Sequence, residues 1–145
     1  MKLYTIGFTK KTAEVFFGKL KSAGVRRIVD IRLNNTSQLA GFAKHEDLVY
    51  FLRTICGIAY IHLPKLAPDK DLLDRFKKQK GTWEDYERNF NALLAERRID
   101  GAFLDRTLED GDCLLCSEST PAHCHRRLVA EKYNLHNPAA AIIHL

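Results

Sequence analysis

The feature that most constrains this chain is a repeated rhythm: a short apolar, β-prone run, a turn, then a stretch whose apolar residues recur at helical spacing. Residues 3–6 open it, Gly7 follows, and Thr9 is placed to cap a helix with the inward stripe Ala13, Phe16, Phe17 and Leu20. Gly24 stands where a left-handed residue ends such a helix, and residues 28–31, Ile-Val-Asp-Ile, make a second strand. Leu48, Leu52, Ile55 and Cys56 share a helix face stopped by Gly57, which assigns Cys56 to the core. Residues 58–63 form a third strand closed by Pro64. A short amphipathic piece with Leu72, Leu73 and Phe76 precedes a longer helix capped by Thr82, with Trp83, Tyr86, Phe90, Leu93 and Leu94 on one face. Residues 101–104, 113–116 and 141–143 are three more strand candidates. Between the last two, Thr120 as N-cap and Pro121 as first residue start a helix that runs to about residue 134.

Strands alternating with helices predict an α/β fold: a single compact domain over residues 1–145, with a mostly parallel sheet flanked by helices on both faces. With 145 residues, 46% of them hydrophobic, the chain can bury a substantial core, and its complexity excludes a disordered or coiled-coil chain. The first residues turn polar within ten positions, and no apolar run approaches the length of a membrane span. A cytoplasmic protein with no membrane partner is therefore expected, and in that compartment Cys56, Cys113, Cys116 and Cys124 are expected as thiols. A net charge of +5 suits an anionic partner. The densest positive stretch, residues 65–80, carries six basic residues against three aspartates, which fits either a solvated helix face or a phosphate-bearing ligand.

Open parallel sheets bind ligands beyond the carboxyl ends of their strands. The polar residues predicted there are Thr9, Asp30 and Arg32, His62, Asp105 and Arg106, and Ser117 and Glu118. The segment from 114 to 127, L-L-C-S-E-S-T-P-A-H-C-H-R-R, puts Cys116 at a strand end and Cys124 in the first turn of the next helix. The amides of a helix N-terminus favour negative charge, so Cys124 is a candidate thiolate; the alternative is that both cysteines are small buried hydrophobes. A helical wheel set by Leu128, Val129, Ala130, Tyr133 and Leu135 turns His125 and Arg126 inward and Arg127 and Glu131 outward. Inward charges need partners, either Glu118, Asp30 and Asp105 in a structural network or a bound ligand.

Several familiar constellations are missing. Cys113 and Cys116 lie three apart on a strand and point to opposite faces, so no zinc and no other cofactor is expected. A Cys-x5-Arg phosphatase loop fails because Ala122 stands where the arginine belongs and Arg126 comes four later; there is no P-loop or dinucleotide fingerprint either. The connection from Arg32 to about Lys44 is long and polar and fits either a lid over the site or a disordered surface loop, with Phe42 as an apolar anchor that a pure linker would not need.

These residues resemble the bacterial and archaeal family catalogued as domain of unknown function 488. The likeness is carried by Y-T-I-G at Tyr4 to Gly7, V-D-I-R at Val29 to Arg32, H-L-P at His62 to Pro64, and L-L-C-S-E followed by C-H-R, in that order across residues 3–135. The resemblance implies a compact α/β fold with signature positions at Asp30, Arg32, Cys116, Glu118, Cys124, His125 and Arg126, and it supplies no reaction. Where similar chains continue Y-T-I-G with His-Ser, this one has Phe8-Thr9. Their Pro- and Arg-rich stretch after D-x-R is replaced by Leu33-Asn34-Asn35-Thr36.

The leading expectation is an enzyme, a hydrolase or transferase, acting on a phosphate-bearing small molecule or nucleotide. Asp30, Arg32, Arg126 and Thr9 would bind it, Glu118 or His125 would move protons, and Cys116 or Cys124 would be the nucleophile. The alternatives are a nucleic-acid-binding or nucleic-acid-processing protein, and a thiol redox or partner-binding module.

Overall fold

The structure, a computed structural model, describes residues 1–36 and 40–145. Among them, five strands form one all-parallel sheet: β1 (Lys2–Gly7), β2 (Arg27–Asp30), β3 (Ala59–His62), β4 (Asp112–Cys116) and β5 (Ala141–His144), in the order β3-β2-β4-β1-β5. Central β4 pairs with both neighbours, Cys113 lying beside Tyr4 on one side and Ile28 on the other. All five residues of β4 are buried, as a strand covered on both faces must be. The six α-helices are α1 (Ala13–Ala23), α2 (His45–Phe51), α3 (Lys70–Lys77), α4 (Trp83–Glu96), α5 (Gly101–Thr107) and α6 (His125–His136).

Alternation along the strands divides the core in two. Tyr4, Ile6, Ile28, Cys113 and Leu115 pack under α1 and α2. Leu3, Val29 and Leu114 face the opposite layer with Phe90, Leu94, Leu104 and Val129 of α4, α5 and α6. The α/β expectation with helices on both faces therefore holds. Among the described residues no helix is long and apolar enough to cross a membrane.

Several local expectations are corrected. Residues 101–104 are helix, not strand: a four-residue apolar run has no period of its own, and the Asp100 side chain caps α5 by accepting from Phe103 N at 2.8 Å. Gly101 is needed there because a Cβ would land on the His136 ring of α6. Asp105 and Arg106 consequently sit in a helix, away from any strand end. Helix α1 starts later than expected, with Thr12 as its cap in place of Thr9 (Val15 N to Thr12 Oγ1, 3.2 Å). Helix α6 starts at His125 with Cys124 as N-cap, and Pro121 opens a turn closed by Cys124 N on Pro121 O at 3.3 Å. Leu135 is 84% exposed and does not belong to the inward arc, and Cys56 is only half-buried. The lid expectation falls partly on residues 37–39, outside the described residues. What is described of that loop is tied down: His45 N donates to Asn35 O at 2.7 Å, and Phe42 packs on Phe16 and Phe17.

Candidate functional site

The carboxyl ends of β2 and β4 are adjacent because the two strands pair directly, and this register assembles the site. At the end of β2, Asp30 is fully buried and grips Arg32 two residues on: Arg32 Nε donates to Oδ1 at 2.8 Å and Nη2 to Oδ2 at 2.7 Å. Tyr60 of β3 donates to the same carboxylate at 2.6 Å, and Asn35 Nδ2 bonds both Asp30 Oδ2 and the Tyr60 hydroxyl. Burial alone would raise the Asp30 carboxyl, but the Arg32 guanidinium and Tyr60 hydroxyl outweigh it and hold it below the ordinary carboxylate value. Burial, then the Asp30 charge, push the Tyr60 phenol up. Arg32 also donates through Nη1 to Ala43 O at 2.8 Å and lies over the Phe8 ring, 5.4 Å from its centroid. His62 donates from Nε2 to Arg32 O at 2.9 Å.

At the end of β4 the chain turns sharply. Ser117 O is held by Thr9, through both its amide at 3.1 Å and its hydroxyl. A Cβ on Gly7 would land on Glu118 O and within 2.6 Å of Arg126 Nη1, so only glycine lets this loop cross β1. The loop then returns Cys124 over the strand end, where the structure joins it to Cys116 as a disulfide. This corrects the expectation of four thiols: compartment argued for reduced cysteines, whereas the fold of residues 117–123 sets two of them side by side. Cys113 and Cys56 remain thiols.

His125 and Arg126, the first two residues of α6, are buried as the wheel required. His125 donates from Nε2 to Ile31 O at 2.7 Å, since a carbonyl can only accept. This leaves Nδ1 as the lone-pair nitrogen, 3.9 Å from Cys124 Sγ. Burial lowers the His125 pKa to about 4, so the ring is neutral at physiological pH.

Arg126 is fully buried and, among the described residues, pairs with no carboxylate. Its Nη1 donates to Glu118 O at 2.5 Å and lies 3.0 Å from Cys116 Sγ, while Nε donates to Thr5 Oγ1 at 3.2 Å. Among the described residues, Nη2 has no hydrogen-bond partner. Neither expected acid compensates it: Asp30 belongs to Arg32, and the Glu118 carboxylate takes Lys77 Nζ at 2.9 Å. Asp105 accepts from Tyr133 instead.

A pocket of about 260 Å³ opens at this edge. Arg32, Asn34, Lys77, Glu118, Cys124 and His125 supply its polar lining, and Leu33, Leu73, Phe76 and Tyr86 its apolar wall. Of the residues expected at the site, Thr9 clamps the loop from outside, and Cys116 and Arg126 lie behind Cys124. His123, which lines the pocket, stacks on Trp83 at 5.0 Å, and Trp83 in turn stacks on Tyr86. Sequence reasoning did not single out Phe8, Tyr60, His123 or Tyr86 for the site. Only the alternation of Tyr60 with His62 on one short strand hinted at Tyr60. Among the described residues no cluster of three or more His, Cys, Asp or Glu side chains is arranged to hold a metal ion.

Three of the six basic residues between positions 65 and 80 have acidic partners. Arg75 pairs with Asp71, Lys78 with Asp74 and Lys77 with Glu118.

A family model described as Domain of unknown function DUF488 matches residues 12–133, well over half of the chain. No curated protein and no solved structure matches significantly.

Proposed function

The chain belongs to the family described as Domain of unknown function DUF488, a description that assigns no reaction, and from the site itself we propose a cytoplasmic enzyme that acts on a phosphate-bearing small molecule or nucleotide in the carboxyl-edge pocket. One observation carries this reading. A single pocket combines an aromatic and aliphatic wall, cations at its rim and the reactive side chains Cys124, His125 and Glu118. Tyr86, Phe76 and His123 supply an aromatic wall for an apolar or ring moiety to pack against, while Lys77 and the spare donors of Arg32 would meet an anionic group. Cys124, once reduced, is the nucleophile, with His125 Nδ1 as the acceptor for its proton. Glu118, half-exposed beside Lys77, handles a proton at the leaving group. Nucleic acid is the weaker reading, because Arg75 and Lys78, outside the pocket and among the basic residues that would meet phosphates, already pair with Asp71 and Asp74 one turn away.

The test is the melting temperature of the reduced protein against nucleotides and sugar phosphates. A ligand at one hundred times its dissociation constant adds about 2.7 kcal/mol of stability, and Lys77→Ala is expected to shrink the shift. If every compound leaves the melting temperature unchanged, the reading fails.

A further inference from the structure

Arg126 is a buried guanidinium that, among the described residues, has one nitrogen without a hydrogen-bond partner and pairs with no carboxylate, and the sulfur of Cys116 lies 3.0 Å from its Nη1. A cation removed from water calls for an anion, and across a disulfide the neighbouring sulfur is neutral. Reduction changes that: a Cys116 thiolate would supply the counter-charge that no described acidic side chain provides. Cys124, by contrast, lines the pocket.

We infer that Cys116 and Cys124 form an exchangeable redox pair in which Arg126 holds Cys116 as the thiolate and a low-molecular-weight thiol entering the pocket reacts at Cys124. The thiolate of the incoming molecule attacks Cys124 Sγ. A mixed disulfide forms there, the bond to Cys116 breaks, and its electron pair leaves on Cys116 Sγ beside Arg126. A second molecule of thiol attacks the outer sulfur of the mixed disulfide and releases a small-molecule disulfide. Cys124 is left as a thiolate that takes a proton from solvent. Two thiols are oxidised and the protein pair gains two electrons. Exchange is faster when the departing sulfur is a weak base, which is the role of Arg126 as a positioning residue.

The charges around Cys116 favour this state. Lys11, on the loop after β1, and His144 of β5 both lie within electrostatic reach of Arg126, and burial followed by Arg126 lowers the pKa of each. The acids nearby are engaged elsewhere, Asp30 of β2 by Arg32 and Glu118 by Lys77. His125 of α6 is neutral. Cys113, on the same strand, is raised by burial, as is Cys56, so neither imitates a low-titrating thiol.

The test uses the full chain, reduced and followed by thiolate absorbance against pH. Wild type and Cys124→Ser are expected to show one thiol titrating at least one unit below the ordinary value of about 8.5, and Cys116→Ser is expected to lose that step. Arg126→Met should cut the thiolate fraction at neutral pH about tenfold, with Arg126→Lys restoring most of it. If Arg126→Met does not fold, the two cysteine variants still decide the matter. Oxidised wild type treated with glutathione, with freed thiols alkylated at once, should carry the adduct on Cys124 and the alkyl group on Cys116. Titration of both thiols near the ordinary value, or the adduct on Cys116, overturns the inference. Neither readout involves a nucleotide, so failure here and failure of the proposed function are separate outcomes.

Discussion

Two arginines are buried at the carboxyl edge of this sheet, and they are treated in opposite ways. Arg32 is 2% exposed and meets Asp30 through two parallel hydrogen bonds, with Tyr60 and Asn35 completing the carboxylate. Arg126 is fully buried, donates to a carbonyl, a hydroxyl and a sulfur, and has no counter-charge among the described acids. Desolvating a guanidinium is equally expensive at both places. The difference teaches which charge the fold neutralises itself: Asp30–Arg32 is a lock whose charge is balanced internally, with the spare donors of Arg32 left at the pocket, and Arg126 is a charge held for chemistry at Cys116.

The largest expected effect comes from breaking the lock. Asp30→Asn leaves Arg32 buried without an anion, and urea unfolding at neutral pH is expected to show a loss of about 3–5 kcal/mol. A loss under about 1 kcal/mol would mean that water or another group reaches Arg32 and that the two arginines are not so different.

Next comes the ring that lies between them. His125 has a folded pKa near 4 against an ordinary 6.5, so between those values the unfolded chain binds more protons and stability rises with pH. Its contribution is complete above about pH 6.5 and is lost as pH falls toward 4, on the order of 3 kcal/mol. His125→Gln, which keeps a donor for Ile31 O, should flatten that part of the stability curve. An unchanged slope would assign the acid sensitivity to other groups, His144 first, because burial lowers its pKa too.

Gly7→Ala tests the Arg126 side, since its methyl would displace both Glu118 O and Nη1. Overpacking of this kind costs about 1–3 kcal/mol, and in the reduced protein it should also raise the Cys116 thiol toward its ordinary value. A stable variant with unchanged thiol titration would show that the loop can shift without disturbing Arg126. The smallest effect is expected for Phe8→Leu, which keeps apolar volume beside Arg32 but removes the ring face, a loss of about 1 kcal/mol by thermal unfolding. A larger loss would make Phe8 a core residue first and an arginine partner second.

The sequence by itself determined the alternation of strands and helices, the two-faced core and the inward face of α6. Those follow from local periodicity and from Gly24 and Thr82, whose backbone preference and hydroxyl act on neighbours a few residues away. It also determined that Cys113 and Cys116 face opposite sides, because alternation along a strand is a property of the chain itself. Residues 101–104 went the other way: a run shorter than two helical turns has no period to read, and packing against α6 decided it. Only the tertiary structure decided which acid compensates which arginine, that Phe8 lies under Arg32, and that Cys116 meets Cys124. Each depends on the order in which parallel strands line up and on the return path of residues 117–123. Contacts between residues far apart in sequence are set by how whole elements dock, which no window of neighbouring residues encodes.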